Sequence, residues 1–392
     1  MSVGERAQAH VSRGAITRNC EHLASQLSAG TELCAVVKAD GYGHGLSASA
    51  VAALLGGARR LAVATAQEAH ELREGPVFYD AEILVMGALE SAELALALRE
   101  GAEVVVWSEQ QVQAVAKAGG GRVHVKLDSG MGRLGTRDVE AASRVLALAS
   151  ETEGVEPIGL MTHFATADEL EDDGFFAGQL EVFSRWASQE KARRPELIVH
   201  AANSAAVLRE PASHFDMVRC GIAIYGMDPF GVDPREQGLE PALTLTSYLA
   251  EVKLCRAGES AGYGRRFIAE RDTWLGVLPI GYGDGWRRGL SNNAEVLIEG
   301  ARYPLVGTVS MDNATIDLGA DAAAQGLHGA RAVLIGQDGE QRITAEQVAR
   351  RLGTINYEIT CGLTPRVPRV YDRKDERRDE PADAAGQAAS EV

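Results

Sequence analysis

Short apolar or β-branched runs recur through the first 226 residues, at 33–38, 60–65, 82–87, 103–108, 122–128, 157–164, 197–203 and 217–226. Between them, 66–73, 90–100, 109–118, 139–150 and 175–191 repeat apolar residues at helical spacing, with charges on the opposite face. Eight strand segments in a repeating strand-then-helix order predict a closed barrel, because each parallel strand needs a crossover and the helices cover the outside. An open doubly wound sheet shares this periodicity, but no glycine-rich dinucleotide fingerprint follows any strand. Past residue 235 the grammar changes to alternating strands at 244–254, 274–279, 294–299, 302–309, 315–318 and 332–335, with helical spacing only at 344–352. The expected fold is α/β: an N-terminal (β/α)8 TIM-like barrel over 1–235 and a C-terminal mainly β domain over 236–373. Residues 374–392, charged and then rich in Ala, Gly and Ser, bury too little apolar surface to order themselves and are expected to be a disordered tail.

With 392 residues the chain can build two full cores. Its net charge of -16 opposes nucleic acid and anionic membranes as partners. Five cysteines without CxxC spacing suggest neither a disulfide framework nor a zinc knuckle, and no metal is expected. The first residues lack a leader pattern and no apolar run approaches a membrane span, so a cytoplasmic location is the expectation.

Candidate chemistry gathers at the C-terminal ends of the barrel strands, which share one face. The first strand runs out at Lys38 into Ala39-Asp40-Gly41-Tyr42-Gly43-His44-Gly45. This places a primary amine beside an apolar wall that disfavours the ammonium form, with glycines expected to admit a bulky aldehyde: the setting for a Schiff base. Lys126, Asp128 and Arg133 follow the fifth strand, His163 the sixth, His200 with Asn203 and Ser204 the seventh, and Arg219 with Gly221 and Ile222 the eighth. A single strand histidine is ordinarily a satisfied core residue; nitrogen bases from four strands at one rim are a stronger signal. Asn203-Ser204-Ala205-Ala206 reads as a helix N-cap and Gly221 permits close backbone approach, a combination suited to phosphate. An aldehyde-accepting lysine with a phosphate site points to pyridoxal 5'-phosphate. Tyr42, Tyr263 and Tyr282 each sit in Gly-Tyr-Gly, where an accessible phenol near cations can act as a proton acceptor.

These segments resemble the alanine racemase family through residues 37–45, 126–135, 200–204, 218–222, 262–264, 281–285, 307–312 and 366–369, in family order along nearly the whole chain. The resemblance implies an isomerase that interconverts L- and D-alanine, a building block of peptidoglycan, as a head-to-tail homodimer with shared active sites. Lys38 would carry the cofactor and serve one face of the substrate amino acid, and Tyr263 of the other subunit the opposite face. Arg219 would meet the pyridine nitrogen, with His163 and His200 in the network linking it to Tyr263. Tyr42, Tyr357, Asn203, Ser204, Gly221 and Ile222 would contact the cofactor, Arg133 would hold its phenolic oxygen and the substrate carboxylate, and Met311, Asp312 and Tyr282 would wall the substrate. Lys126 matches a lysine that is carbamylated in some members. The opening departs from the family pattern, although Ser12 can still cap a helix.

Inverting a stereocentre by proton transfer needs bases on both faces of a planar carbon, so a lone lysine is insufficient. Arg219, always protonated, cannot take a proton from the ring, which discourages protonation on the cofactor and favours racemisation over transamination. The alternatives are a racemase of another small amino acid such as serine, a pyridoxal-dependent decarboxylase on the same architecture, a non-catalytic pyridoxal-binding protein, and a metal-dependent barrel hydrolase using Lys126, His163 and His200.

Overall fold

Eight parallel strands close on themselves in strict sequence order. Preceded by β1 (Ala7–Val11), they are β2 (Glu32–Val36), β3 (Arg60–Val63), β4 (Glu82–Val85), β5 (Glu103–Val106), β6 (Gly121–Lys126), β7 (Val155–Met161), β8 (Ile198–His200) and β9 (Met217–Cys220). The computed structural model describes residues 6–75, 80–171 and 173–372; the expected tail at 374–392 lies outside them. Strands such as β5, Glu-Val-Val-Val, are buried on both faces, as parallel strands covered by helices must be. Helix entries are fixed locally: Ser12 caps Arg13–Ser25 by accepting from Ala15 N–H, and Thr65 with Glu68 forms a capping box on Ala66–Arg73. The strands stop earlier than the apolar runs suggest, so Lys38, His163, Asn203, Ser204, Gly221 and Ile222 stand just beyond strand ends, on the segments that follow them at the rim.

A second, ten-stranded sheet takes in Glu251–Cys255, Thr273–Leu278, Ala314–Gly319, Ala301–Val306, Glu295–Ile298, Arg331–Asp338 and Leu243–Tyr248 in that order, with Gln341–Ile343 beside Arg331–Asp338. It continues through β1 to Arg369–Tyr371. The chain's first strand therefore lies in the second sheet, outside the barrel that the 1–235 range assigns it to; alternate burial of Ala7, Ala9 and Val11 suits it to a sheet with one covered face. The single strand expected at 244–254 is two, because Leu249 N–H bonds Ala330 O while Ala250 N–H bonds Val277 O, so the chain changes neighbours there. A second helix in this unit, Asn356–Cys361, escaped the periodicity because six residues are too few to show it. Among the described residues no helix is long and apolar enough to cross a membrane.

Candidate active site

The loop after β2 is wound left-handed. Ala39, Asp40 and Tyr42 have φ of +53° and Gly41 of +60°, a conformation that costs about 1–2 kcal/mol for each non-glycine residue. Hydrogen bonds offset that cost. Glu68 accepts from Ala39 N–H at 2.7 Å, Asp40 accepts from Leu46 N–H at 2.9 Å, and Arg369 donates to Gly43 O at 2.9 Å. The glycines serve the second unit more than an incoming aldehyde: a side-chain carbon at Gly43 would strike the Thr360 carbonyl, and one at Gly45 the Tyr371 hydroxyl. Tyr42 also differs from expectation. Its ring is buried, 5.1 Å from that of Tyr225 and 6.0 Å from that of Tyr357, and burial raises its pKa, so this phenol stays protonated and is a donor rather than a proton acceptor.

Arg133 stands on a loop shaped by Asp128, whose carboxylate accepts from Gly130 N–H at 3.1 Å and Gly132 N–H at 3.0 Å. Lys126, the last residue of β6, is buried; burial, then Arg219 and Arg133, lowers its pKa to about 8. Lys38 is lowered too, by burial and then Arg133, with Glu68 opposing. Among the described residues no carboxylate forms an ion pair with Lys38, Lys126, Arg133 or Arg219. A site with four cations and no paired anion, in a chain of net charge -16, is built to receive negative charge from a ligand.

Arg219, on β9, is the best-anchored of the four. Its Nη1 donates to His200 Nδ1 at 2.9 Å, and its Nη2 reaches Thr162 O at 2.8 Å, Ala201 O at 2.9 Å and His163 Nδ1 at 3.2 Å. Both histidines thus commit a lone pair to a guanidinium, and burial with the nearby charge holds each well below its ordinary pKa. His200 Nε2 continues to His124 Nδ1 at 2.9 Å, and His124 Nε2 to Glu103 Oε2 at 2.9 Å. His124 and Glu103 escaped the sequence reading because one lies inside a strand and the other opens one, and neither stands at a C-terminal end. The available signal was a histidine between Val123 and Val125 and a glutamate opening a Val-Val-Val run.

On the other side of the mouth, Asn203 caps Ser204–Arg209 by accepting from Ala206 N–H at 3.0 Å, as its position suggested. Ser204 Oγ accepts from Gly221 N–H at 3.1 Å and Ala223 N–H at 3.3 Å, which seats the Gly221-Ile222 turn against the helix start. Gly221 faces the Tyr42 hydroxyl so closely that a side-chain carbon would collide with it. Tyr357 arrives from Asn356–Cys361 of the second unit, so both units of one chain shape this corner.

Tyr263, Tyr282, Met311 and Asp312 are gathered elsewhere. Thr308 Oγ1 donates to Tyr263 O at 2.7 Å, Tyr282 N–H bonds Ser310 O at 3.0 Å, and Gly283 N–H bonds Met311 O at 2.8 Å, drawing these turns of the second unit together. Their side chains face outward, Tyr263 at 74%, Met311 at 52% and Tyr282 at 41% exposure. Among the described residues no hydrogen bond or ion pair joins these four to the mouth of their own barrel.

The chain matches the family model of the alanine racemase N-terminal domain over residues 11–229 and that of the C-terminal domain over 242–371. The chain belongs to the alanine racemase family. Its curated relatives include alanine racemase of Geobacillus stearothermophilus, 41% identical over 371 residues with 93% of each chain covered, and alanine racemase 1 of Bacillus subtilis, 38% identical over 369 residues with 93% of this chain and 92% of the relative covered. Among solved structures, alanine racemase from Streptomyces coelicolor A3(2) superposes with a TM-score of 0.87 at 36% identity, covering 93% of this chain and 98% of that one. The family resemblance and the barrel-plus-β architecture expected from the sequence are borne out.

Proposed function

We propose that the protein interconverts L- and D-alanine by moving the α-proton between two bases, Lys38 and Tyr263 of a second subunit. What supports this is the cation cluster around Lys38, anchored by Arg219 and lacking carboxylate partners, set within a chain of this family. The donor set fits pyridoxal 5'-phosphate, and the missing side chain at Gly221 lets the Tyr42 hydroxyl lie directly against that turn. That cofactor supplies an electron sink that makes the α-hydrogen of an amino acid removable. Lys38 would hold its aldehyde carbon; Tyr42, Asn203, Ser204, Gly221, Ile222 and Tyr357 would surround its phosphate; and Arg219 would donate to its ring nitrogen, keeping that nitrogen unprotonated.

Burial and then Arg133 lower the pKa of Lys38, the direction that favours its use as a base. Arg133 would orient the substrate carboxylate, with His163 and His200 holding Arg219 in place. Lys126, with an amine brought to about 8, is suited to react with carbon dioxide, and a carbamate there would balance Arg133. The exposed face carrying Tyr263, Tyr282, Met311 and Asp312 would close a partner's mouth, giving a homodimer with shared sites. Polarimetry with added cofactor tests the reading. Alanine is expected to racemise fastest in a panel of amino acids, and Tyr263→Phe is expected to lose turnover in both directions while still binding cofactor. Near-normal racemisation by that variant would overturn the two-base assignment.

A further inference from the structure

A file of polar side chains crosses the otherwise apolar barrel core. Arg60 and Glu103 open β3 and β5 at the N-terminal end of the barrel, His124 lies mid-strand in β6, His200 ends β8, and Arg219 lies in β9 near the rim. All five are buried. Arg60 Nη2 donates to Glu103 Oε1 at 3.1 Å, Glu103 Oε2 meets His124 Nε2 at 2.9 Å, His124 Nδ1 meets His200 Nε2 at 2.9 Å, and His200 Nδ1 meets Arg219 Nη1 at 2.9 Å.

The direction of these bonds follows from their two ends. A guanidinium has no lone pair to offer, so His200 Nδ1 accepts and its proton sits on Nε2. That N–H requires His124 Nδ1 to accept, which places the second proton on His124 Nε2, aimed at the carboxylate. Glu103, whose burial would raise its pKa, is brought down to about 2 chiefly by His124, then by a bond from Glu82 and the charge of Arg60. The donor at one end and the acceptor at the other thus dictate the same tautomer in both rings. A second proton on either ring, or a reversed tautomer, would set two N–H groups face to face.

We propose that Glu103 is a positioning residue for the reaction: by accepting from His124 Nε2 it secures the far end of the one tautomer chain that Arg219 allows, and so helps hold that guanidinium in one plane at the rim. The consequence for catalysis rests on the assignment of Arg219 to the cofactor's ring nitrogen; the relay itself does not. Holoenzyme labelled with 15N-histidine tests the relay directly through two-bond proton–nitrogen correlation, with signals assigned by their loss in His124→Gln and His200→Gln. Both rings are expected to be neutral with the proton on Nε2. A proton on Nδ1, or an imidazolium, at either position would overturn the proposal whether or not the protein racemises alanine. Glu103→Gln, which retains an acceptor oxygen, should keep this pattern and stay within about threefold of the parent kcat, whereas Glu103→Leu should lose about 10–100-fold in kcat with little change in KM. A folded Glu103→Leu protein that retains both its kcat and its tautomers would also sink the proposal; if that variant does not fold, the parent spectrum and the Gln variant decide.

Discussion

At the barrel mouth the functional groups are held from behind, Arg219 by four hydrogen bonds and the Lys38 loop by Glu68, Asp40 and Arg369. On the second unit, Tyr263 projects with 74% of its surface open, and the structure fixes its backbone rather than its ring. One region spends its polar contacts on prior organisation; the other leaves an apolar and aromatic face bare, a surface that the proposed dimer would cover. The contrast is between a mouth organised in advance and a face left open; under the proposed shared-site dimer the two are complementary half-sites.

Subunit mixing separates the mouth from the exposed face most directly. Lys38→Ala and Tyr263→Phe should each lose about 10²–10⁴-fold in racemisation, as expected for removing an acid–base group. Co-folded in equal amounts, the two should recover about a quarter of the parent activity, because half of the dimers are mixed and each of those has one intact site. If both residues serve the same chain, mixing recovers nothing. Next in size, Met311→Glu should weaken dimerisation in sedimentation and lower activity in proportion to dissociation, by placing a charge in the bare face.

A smaller effect separates the two regions sterically. Gly43 and Gly264 both have positive φ, but only Gly43 lies against backbone, that of Thr360. Gly43→Ala should therefore cost at least about 2–3 kcal/mol in urea denaturation, and Gly264→Ala about 1 kcal/mol. Equal losses would mean that the Thr360 contact yields easily. The smallest effect concerns Lys126 in the cofactor-free protein. Its pKa is lowered on folding, so the unfolded chain holds more protons between about 8 and 10.5, and stability rises with pH across that window. Lys126→Met should thus raise Tm by a few degrees near pH 7, with the gain shrinking as pH climbs through the window; a constant gain would place the cause elsewhere.

Much of this was legible in the chain because barrel geometry converts strand ends into a shared rim, and Lys38, His163, His200 and Arg219 are rare residue types at such ends. Tyr42 was misread because flanking glycines look like slack, whereas here they let the loop press against Thr360 and Tyr371 while the ring turns inward to Tyr225 and Tyr357. Glu103 and His124 were passed over since a polar residue inside a strand carries no label saying which way it points. The placement of Tyr357 depends on a helix of six residues, shorter than the window in which periodicity is visible. The exposed turns gave up only their residue types, because their side chains face outward and nothing in the chain's own periodicity marks that.

The left-handed run at 39–42 has a consequence for modularity. Its shape is wedged by Thr360, latched by Arg369 and roofed by Tyr357, all drawn from the far end of the polypeptide. A barrel excised near residue 235 would keep its eight strands yet lose the scaffold that aims its amine. Transplanting the lysine motif onto another cylinder would fail for the same reason, since the shape is written some 320 residues away.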